Sequence, residues 1–117
     1  MILFVGDSPS PKMKPDAPAF AGAVCEPRLE AWISIVAKEH EYYIVNKTNP
    51  AFLAILYLAK TTGAKIVALG NNASKALGDT YHFKLPHPSG RNRQLNNKQF
   101  VAKKLKECKK WLVSKQR

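Results

Sequence analysis

The feature that most constrains the fold is a series of short apolar runs that alternate with helical patterns along the chain. Residues 1–5 form an almost unbroken apolar run that ends at Gly6, which is typical of a strand buried on both faces of a parallel sheet. Three further runs of similar length cover residues 42–45, 65–69 and 81–85. Because a helical pattern follows each run, the sequence predicts an α/β fold, a three-layer α/β/α arrangement around a four-stranded parallel sheet.

The helical patterns are predicted at residues 26–40, 49–60, 72–77 and 97 to near the end. Asn49 is a candidate N-cap of the second helix, and Gly63 and Gly78 are candidates to close the second and third. The last helix has apolar residues at steps of four, three and four, which places them on one face. These residues are Val101, Leu105, Cys108 and Leu112.

The charge balance indicates an anionic partner. The chain of 117 residues, enough for one domain spanning residues 1–117, has 19 Lys and Arg against 8 Asp and Glu, a formal charge of +11. An excess of this size is typical of proteins that contact phosphates, and a solubilising coat is the alternative. A membrane surface fits less well, because no helix combines strong basicity with exposed large apolar groups. We therefore expect a basic surface that faces nucleic acid.

Cysteine content and hydropathy bear on the compartment. Cys25 and Cys108 are too few for a disulfide framework or a four-cysteine metal cluster, so we expect free thiols in a reducing compartment. No apolar run reaches the roughly 18 residues of a membrane span, and the first residues lack the basic start of a signal peptide. We expect an intracellular monomer, in the cytoplasm or with the chromosome, that is not secreted and does not engage a membrane.

Small and polar residues follow the predicted strands, at the edge where open parallel sheets bind ligands. Asp7 follows the first strand, and alone it is equally well explained as a turn or capping residue. His87 follows the fourth strand between two prolines, which restrict its backbone, and two arginines come soon after it. This setting makes His87 the better catalytic candidate. The proline-rich loop over residues 7–18 is long for a small domain, which favours a functional role.

Two ordered motifs resemble the signatures of the uracil-DNA glycosylase superfamily. The first is Gly-Asp-Ser-Pro at residues 6–9, with Phe20 in an Ala-Phe-Ala-Gly context 14 residues after Gly6. The second is His-Pro-Ser at residues 87–89. Residues 66–77 also look like the third-strand region of bacterial and archaeal branches, and Asn46 matches the position of a base-reading Asn. The resemblance covers the chain from residue 1 to about residue 96.

The resemblance implies excision of uracil from DNA by base flipping, with no metal and no cofactor. His87 is then the donor to uracil O2 as negative charge develops there, and Asp7 positions or activates water. Phe20 stacks on the flipped base, while the Asn46 amide bonds the uracil edge and discriminates against cytosine. Ser8 is counted with the base-binding residues, although many members carry Asp or Asn at its position.

The resemblance also implies a DNA-binding turn after His87. Pro88, Ser89 and Gly90 would pinch the phosphates of the strand, and the stretch from Arg91 through Arg93 to residue 95 would enter the groove. The last helix carries many lysines, and we interpret it as a solvated face that Trp111 docks onto the sheet. Direct contact with phosphates is the alternative for this helix.

Departures from the family pattern leave other interpretations open. Ser8 cannot supply a carboxylate or an amide, the iron–sulfur cysteines of some branches are absent, and the chain is shorter than the usual family enzymes. These points allow a slow glycosylase, another deaminated base as substrate, or a non-catalytic module that binds single- or double-stranded DNA on the same fold. A small-nucleotide hydrolase is disfavoured because acidic residues are few. Asn49, Asn71 and Asn72 are alternatives to Asn46 as the base reader.

Overall fold

The computed structural model describes residues 1–6, 26–37, 40–87 and 96–113. Strands and helices alternate as the sequence predicts. The elements are β1 (Ile2–Gly6), α1 (Glu26–Val36), β2 (Tyr42–Asn46), α2 (Phe52–Thr62), β3 (Lys65–Leu69), α3 (Asn71–Leu77), β4 (Phe83–Leu85) and α4 (Lys98–Val113). The predicted fold class is confirmed: the four strands form one parallel sheet in the order β2-β1-β3-β4.

Side chains of the central strands alternate between two cores, one on each face of the sheet. Ile2 and Phe4 of β1 enter one core, and Leu3 and Val5 enter the other. This two-residue period explains why β1 has no polar position, since both of its faces are covered. Helices α1 and α4 supply the first core and α2 and α3 the second, which completes the three layers.

The strand order creates a crevice at the carboxyl edge of the sheet. The chain moves from β1 outward to β2, and then crosses back to β3 on the other side of β1. Such a reversal leaves the loops after the two central strands diverging toward opposite faces, which opens space for a ligand between them. In this protein the residues at that point are Gly6, which ends β1, and Gly70, which follows β3.

Helix ends differ from prediction at two places. Helix α2 begins at Phe52 with Ala51 as its cap, so the prediction of Asn49 as N-cap is wrong. The Asn49 carboxamide oxygen instead accepts a bond from the Ala51 backbone N–H (2.8 Å), within a turn that precedes the helix. Helix α1 ends at Val36 and not at His40, whose backbone N–H bonds three residues back to the carbonyl of Ala37. Gly63 closes α2 with a φ of 75°, as predicted.

Helix α4 is docked on the sheet as the sequence predicts. Leu105, Cys108 and Leu112 are buried in the first core, and the ring of Trp111 lies against those of Tyr81 and Phe83. Burial raises the pKa of the Cys108 thiol to about 12, so this cysteine is neutral and unreactive at physiological pH. Of the helices that the structure describes, none is both long and apolar enough to cross a membrane.

Candidate functional site

The carboxyl edge of the sheet holds two of the predicted site residues. Asn46 ends the outer strand β2, opposite Gly6 in register, and His87 lies just beyond the other outer strand, β4. With about 4.8 Å between neighbouring strands, these two positions are about 14 Å apart across the edge. Between them lie Gly6 and Gly70, which have no side chains to fill the space. Among the described residues, the edge therefore has two polar side chains at its flanks and two glycines between them.

Among the described residues, Asn46 is a buried polar residue whose side chain has no hydrogen-bond partner. It is 1% exposed, and neither its Nδ2 nor its Oδ1 has a hydrogen-bond partner there. Its backbone carbonyl does have a partner, because it accepts a bond from the Asn49 N–H (3.0 Å). A buried amide without partners costs about 1–3 kcal/mol, so native proteins rarely keep one without a use for it. The unused donor and acceptor are what a planar ligand with a complementary edge would bind.

His87 packs directly on Gly70. A Cβ atom at residue 70 would lie 2.9 Å from the His87 Cβ and 3.3 Å from its Cδ2, closer than atoms of this kind approach one another. Gly70 also has a φ of 98°, which is accessible to glycine and strained for other residues. Its N–H donates to the carbonyl of Leu85 (2.8 Å), which ties the end of β3 to the strand that leads into His87. Gly70 thus sets the distance between His87 and the centre of the site.

A cleft of about 520 Å³ adjoins His87 and Gly70 at the carboxyl ends of β3 and β4. Its walls include Pro86 and His87, the side chains of Lys84 and Asn71, and Phe100 and Lys104 from helix α4. Among the described residues that line it, the charged ones are Lys84 and Lys104. Within the described ranges no cluster of three or more His, Cys, Asp or Glu side chains could hold a metal ion.

The other predicted site residues lie outside the residues that the structure describes. They are the catalytic candidate Asp7, the base-binding candidates Ser8 and Phe20, and the DNA-binding candidates Pro88, Ser89, Gly90, Arg91 and Arg93. Their roles remain predictions. The alternative base readers Asn71 and Asn72 are both exposed, whereas Asn46 is buried at the edge that the resemblance implies.

Comparison with known protein families gives one match. The model of the uracil DNA glycosylase superfamily matches residues 1–112, which is nearly the whole chain and includes Asn46, Gly70 and His87. The chain belongs to the uracil-DNA glycosylase superfamily. No curated protein and no solved structure matches it. The membership that the sequence motifs predict is confirmed.

Two features of this uracil-DNA glycosylase superfamily site were not found by reading the sequence. The first is the contact between Gly70 and His87, for which the only sequence signal is a glycine placed directly after a buried strand. The second is the cleft beside β4, where Lys84 and Lys104 come from elements separated by 20 positions in the chain. No local pattern links those two lysines, because packing of α4 on the sheet brings them together.

Proposed function

We propose that this member of the superfamily excises uracil, or a related deaminated base, from DNA. The base is extruded from the strand, water adds to the sugar C1′ as its bond to the base breaks, and the base leaves as an anion that then gains a proton. The observation that carries the proposal is the buried Asn46 amide, which has both a donor and an acceptor to spare. The family match supports action on DNA at the level of the superfamily.

Asn46 has the chemistry to distinguish uracil from cytosine. Its Nδ2 can donate to uracil O4 while its Oδ1 accepts from N3–H, so both unused groups become bonded at once. Cytosine presents an amino group in place of O4 and an acceptor in place of N3–H. The rigid, buried position of the side chain prevents it from reorganising cheaply to suit that edge. The desolvation cost of burying the amide is then recovered only when the right base is present.

His87 is proposed as the donor to the leaving base. Negative charge grows on uracil O2 only as the glycosidic bond breaks, so a donor fixed at that point stabilises the transition state more than the bound substrate. The packing of His87 on Gly70 limits how far its side chain can move. Pre-organisation of this kind is what such a donor requires, because no reorganisation is then needed during the reaction.

The remaining roles follow from the resemblance. Asp7 is proposed to position water and to stabilise positive charge on the sugar, and Phe20 to stack on the extruded base. Ser8 is proposed to act with the base-binding residues. The turn formed by residues 88–90, together with Arg91 and Arg93, is proposed to hold the phosphates around the extruded nucleotide.

The competing function is a module that binds DNA without cutting it. Ser8 favours this alternative, since it has no carboxylate to assist water, and catalysis then depends on Asp7 alone. The two functions share the DNA surface and differ in a single measurable step, the release of free base. Binding measurements alone therefore cannot separate them.

The deciding experiment measures strand breaks at uracil. Single- and double-stranded oligonucleotides with one uracil are incubated with the protein and treated with alkali, and matched thymine oligonucleotides serve as controls. The His87→Ala protein, purified in parallel, controls for contaminating host enzyme. Breaks at uracil that require His87 support the enzyme; DNA binding with no breaks for either protein contradicts it and supports the binding module.

A second variant tests the base reader. Asn46→Asp replaces the donor with an acceptor, so the side chain repels uracil O4 and suits the cytosine amino group. We expect excision to shift from uracil toward cytosine in paired oligonucleotides that differ only at that base. If the preference for uracil is unchanged, Asn46 does not read the base.

A further inference from the structure

Helix α2 is apolar on nearly all sides, yet part of it has no covering layer. Its sequence is FLAILYLAKTT, and a helix of this composition is normally buried all round. Leu53 is 76% exposed, Tyr57 67% and Leu58 61%. The outward side of α2 therefore presents large apolar groups that the described residues do not cover. Only its inner side packs into the second core, through Phe52, Leu56 and Ala59.

An apolar groove of about 510 Å³ runs along one flank of α2. Ile55, Leu58 and Thr62 form its α2 wall, and Tyr43 of the edge strand β2 lies in the facing wall. Tyr43 points to the same face of the sheet as Val45, which is buried in the second core, but is itself 48% exposed. The cover over β2 therefore ends before its amino-terminal residues, and the groove is the space that is left. Among the described residues that line it, none is charged.

A ridge lies on the opposite flank of α2. Leu53 and Tyr57 are one turn apart, and at 3.6 residues per turn they lie about 150° around the helix from the residues that line the groove. A surface that carries both a projecting ridge and a groove can be complementary to a second copy of itself, as an isologous interface requires. A twofold axis roughly parallel to α2 places the ridge of each copy over the groove of the other.

The exposed apolar area is close to what a stable dimer needs. The exposed parts of the two ridge residues, of Leu58 and of Tyr43 amount to about 500 Å² in each chain. A standard interface buries about 800 Å² per partner, and about 65% of this is apolar in homodimers, or about 520 Å². The ridge and the groove together thus supply the apolar part of one such interface.

The distribution of charge also favours contact between two copies at this face. Of the residues of α2, Lys60 alone is charged. Two copies joined through α2 keep the basic helix α4 on the outer sides of the dimer, because α4 packs on the opposite face of the sheet. Both sheets then separate the two α4 helices, and their repulsion is screened beyond about 8 Å in physiological salt. The lysines of α4 are Lys98, Lys103, Lys104, Lys106, Lys109 and Lys110.

We propose that α2 is the contact face of a homodimer, in which the ridge of each copy fills the groove of the other. Met1 and Ala64, which precede β1 and β3, also line the groove, so it lies at the end of the sheet opposite the carboxyl edge. Contact at the groove therefore does not use the residues that read the base, and the dimer does not depend on the glycosylase proposal. A dimer of this kind replaces the monomer expected from the sequence.

Sedimentation velocity of the nuclease-treated protein, over a range of concentrations, tests the dimer. We expect a species of about 26 kDa, twice the 13.0 kDa of one chain, at micromolar concentration. Tyr57→Ser/Leu58→Ser should raise the dissociation constant by at least about 100-fold, because each change occurs twice in a symmetric interface.

Ile35→Ser/Val113→Ser is the matched control. These side chains are 49% and 71% exposed, but they belong to α1 and α4 on the other face of the sheet, so the dissociation constant should not change. Far-UV circular dichroism checks that both double variants are folded. Leu53→Ser, a single change at a residue that is 76% exposed, is a milder second variant and should also weaken the dimer.

Salt distinguishes an apolar contact from bridging by residual nucleic acid. Added salt weakens phosphate contacts and also screens repulsion between the two basic copies, so the proposed dimer should persist or tighten as salt rises. A 13.0 kDa species at every concentration, equal weakening in the α2 variant and the control, or dissociation by salt overturns the homodimer. Binding of a monomer to phosphatidylcholine vesicles that is lost in the α2 variant would assign this face to lipid and likewise overturns it.

Discussion

The amino edge and the carboxyl edge of the sheet differ in whether their polar side chains have hydrogen-bond partners among the described residues. At the amino edge, Lys65 at the start of β3 donates to the carbonyl of Trp111 (2.8 Å) and lies 4.8 Å from the centre of its ring. The Trp111 indole N–H in turn donates to the Tyr81 hydroxyl (2.8 Å). At the carboxyl edge, the Asn46 amide has no partner among the described residues, and Gly70 has a φ that other residues avoid.

This difference indicates that the amino edge contributes mainly to the stability of the fold and the carboxyl edge mainly to its function. The amino edge joins β3, α4 and the segment before β4 through bonds that are complete in the free protein, so it holds the layers together. The carboxyl edge retains an amide without partners among the described residues, which lowers stability, and a backbone conformation at Gly70 that only glycine adopts without strain. A buried group of this kind persists where a ligand is to be bound. Substitutions at the amino edge should therefore change the free energy of unfolding, and those at the carboxyl edge should change excision.

The largest effect is expected from His87→Ala, which removes the donor to the leaving base. Loss of such a donor costs about 2.7–4 kcal/mol in the transition state, so base release should fall by about 100-fold or more while DNA affinity is retained. His82→Ala is the matched control, because the His82 ring bonds Ser74 of α3 (2.8 Å) and does not line the cleft beside His87, so its loss should affect stability only. Equal losses of excision in the two variants would exclude a special role for His87.

Gly70→Ala should lower both the rate of excision and the free energy of unfolding. The new Cβ would lie 2.9 Å from the His87 Cβ at a φ of 98°, so His87 must move and the backbone is strained. We expect excision to fall by about tenfold and the free energy of unfolding to fall by about 2 kcal/mol. Gly63→Ala shares the positive φ (75°) but meets no atom within 4 Å, so it should lower stability by about 1 kcal/mol and spare excision. Full activity of Gly70→Ala would show that the contact does not position His87.

Lys65→Met tests the amino edge. It keeps the apolar stem and removes a charged hydrogen bond and a cation–π contact, so the free energy of unfolding should fall by about 1–2 kcal/mol in urea titrations. The rate of excision should match that of the wild type. Lys60→Met, at an exposed site on α2, is the control and should be neutral. A loss of excision without loss of stability in Lys65→Met would contradict the division between the edges.

Asn46→Leu should have the smallest effect on stability. It replaces an unbonded, buried amide with an apolar group of similar size, so the free energy of unfolding should stay within about 0.5 kcal/mol of the wild type or rise. Excision of uracil should fall, by less than in His87→Ala, because a Leu side chain cannot bond O4 or N3–H. Asn49→Ala is the contrast, because it removes an acceptor used by the Ala51 N–H and should cost about 1 kcal/mol without loss of excision. A marked loss of stability in Asn46→Leu would mean that the amide is satisfied in the folded protein.

Features that depend on neighbouring residues were predictable. Strand β3 covers the residues that its apolar run predicts, 65–69, and Gly63 closes α2 as expected. Both are visible in the local sequence, because burial on both faces requires an unbroken apolar run and a left-handed turn favours glycine. The end of α1 and the cap of α2 were misplaced. In both cases a turn competes with the helix for the same backbone groups, and propensity alone does not decide that competition.

The site was predictable in part. His87 was found because it follows a strand, and Asn46 because its position matches that of a base-reading Asn in the family it resembles. The parallel sheet then places both at one edge. Their surroundings were not predictable. The burial of Asn46 and the approach of His87 to Gly70 depend on contacts between residues far apart in sequence.

By itself, the sequence determined the alternation of strands and helices, the parallel sheet, the excess of basic residues and the family, since each of these depends on composition, local patterns or ordered motifs. Tertiary structure decided the strand order, the unpaired state of the Asn46 amide, and the meeting of Lys84 with Lys104. The physical reason is that local patterns specify which face of an element is apolar, whereas the packing of those faces selects which distant polar groups share one space.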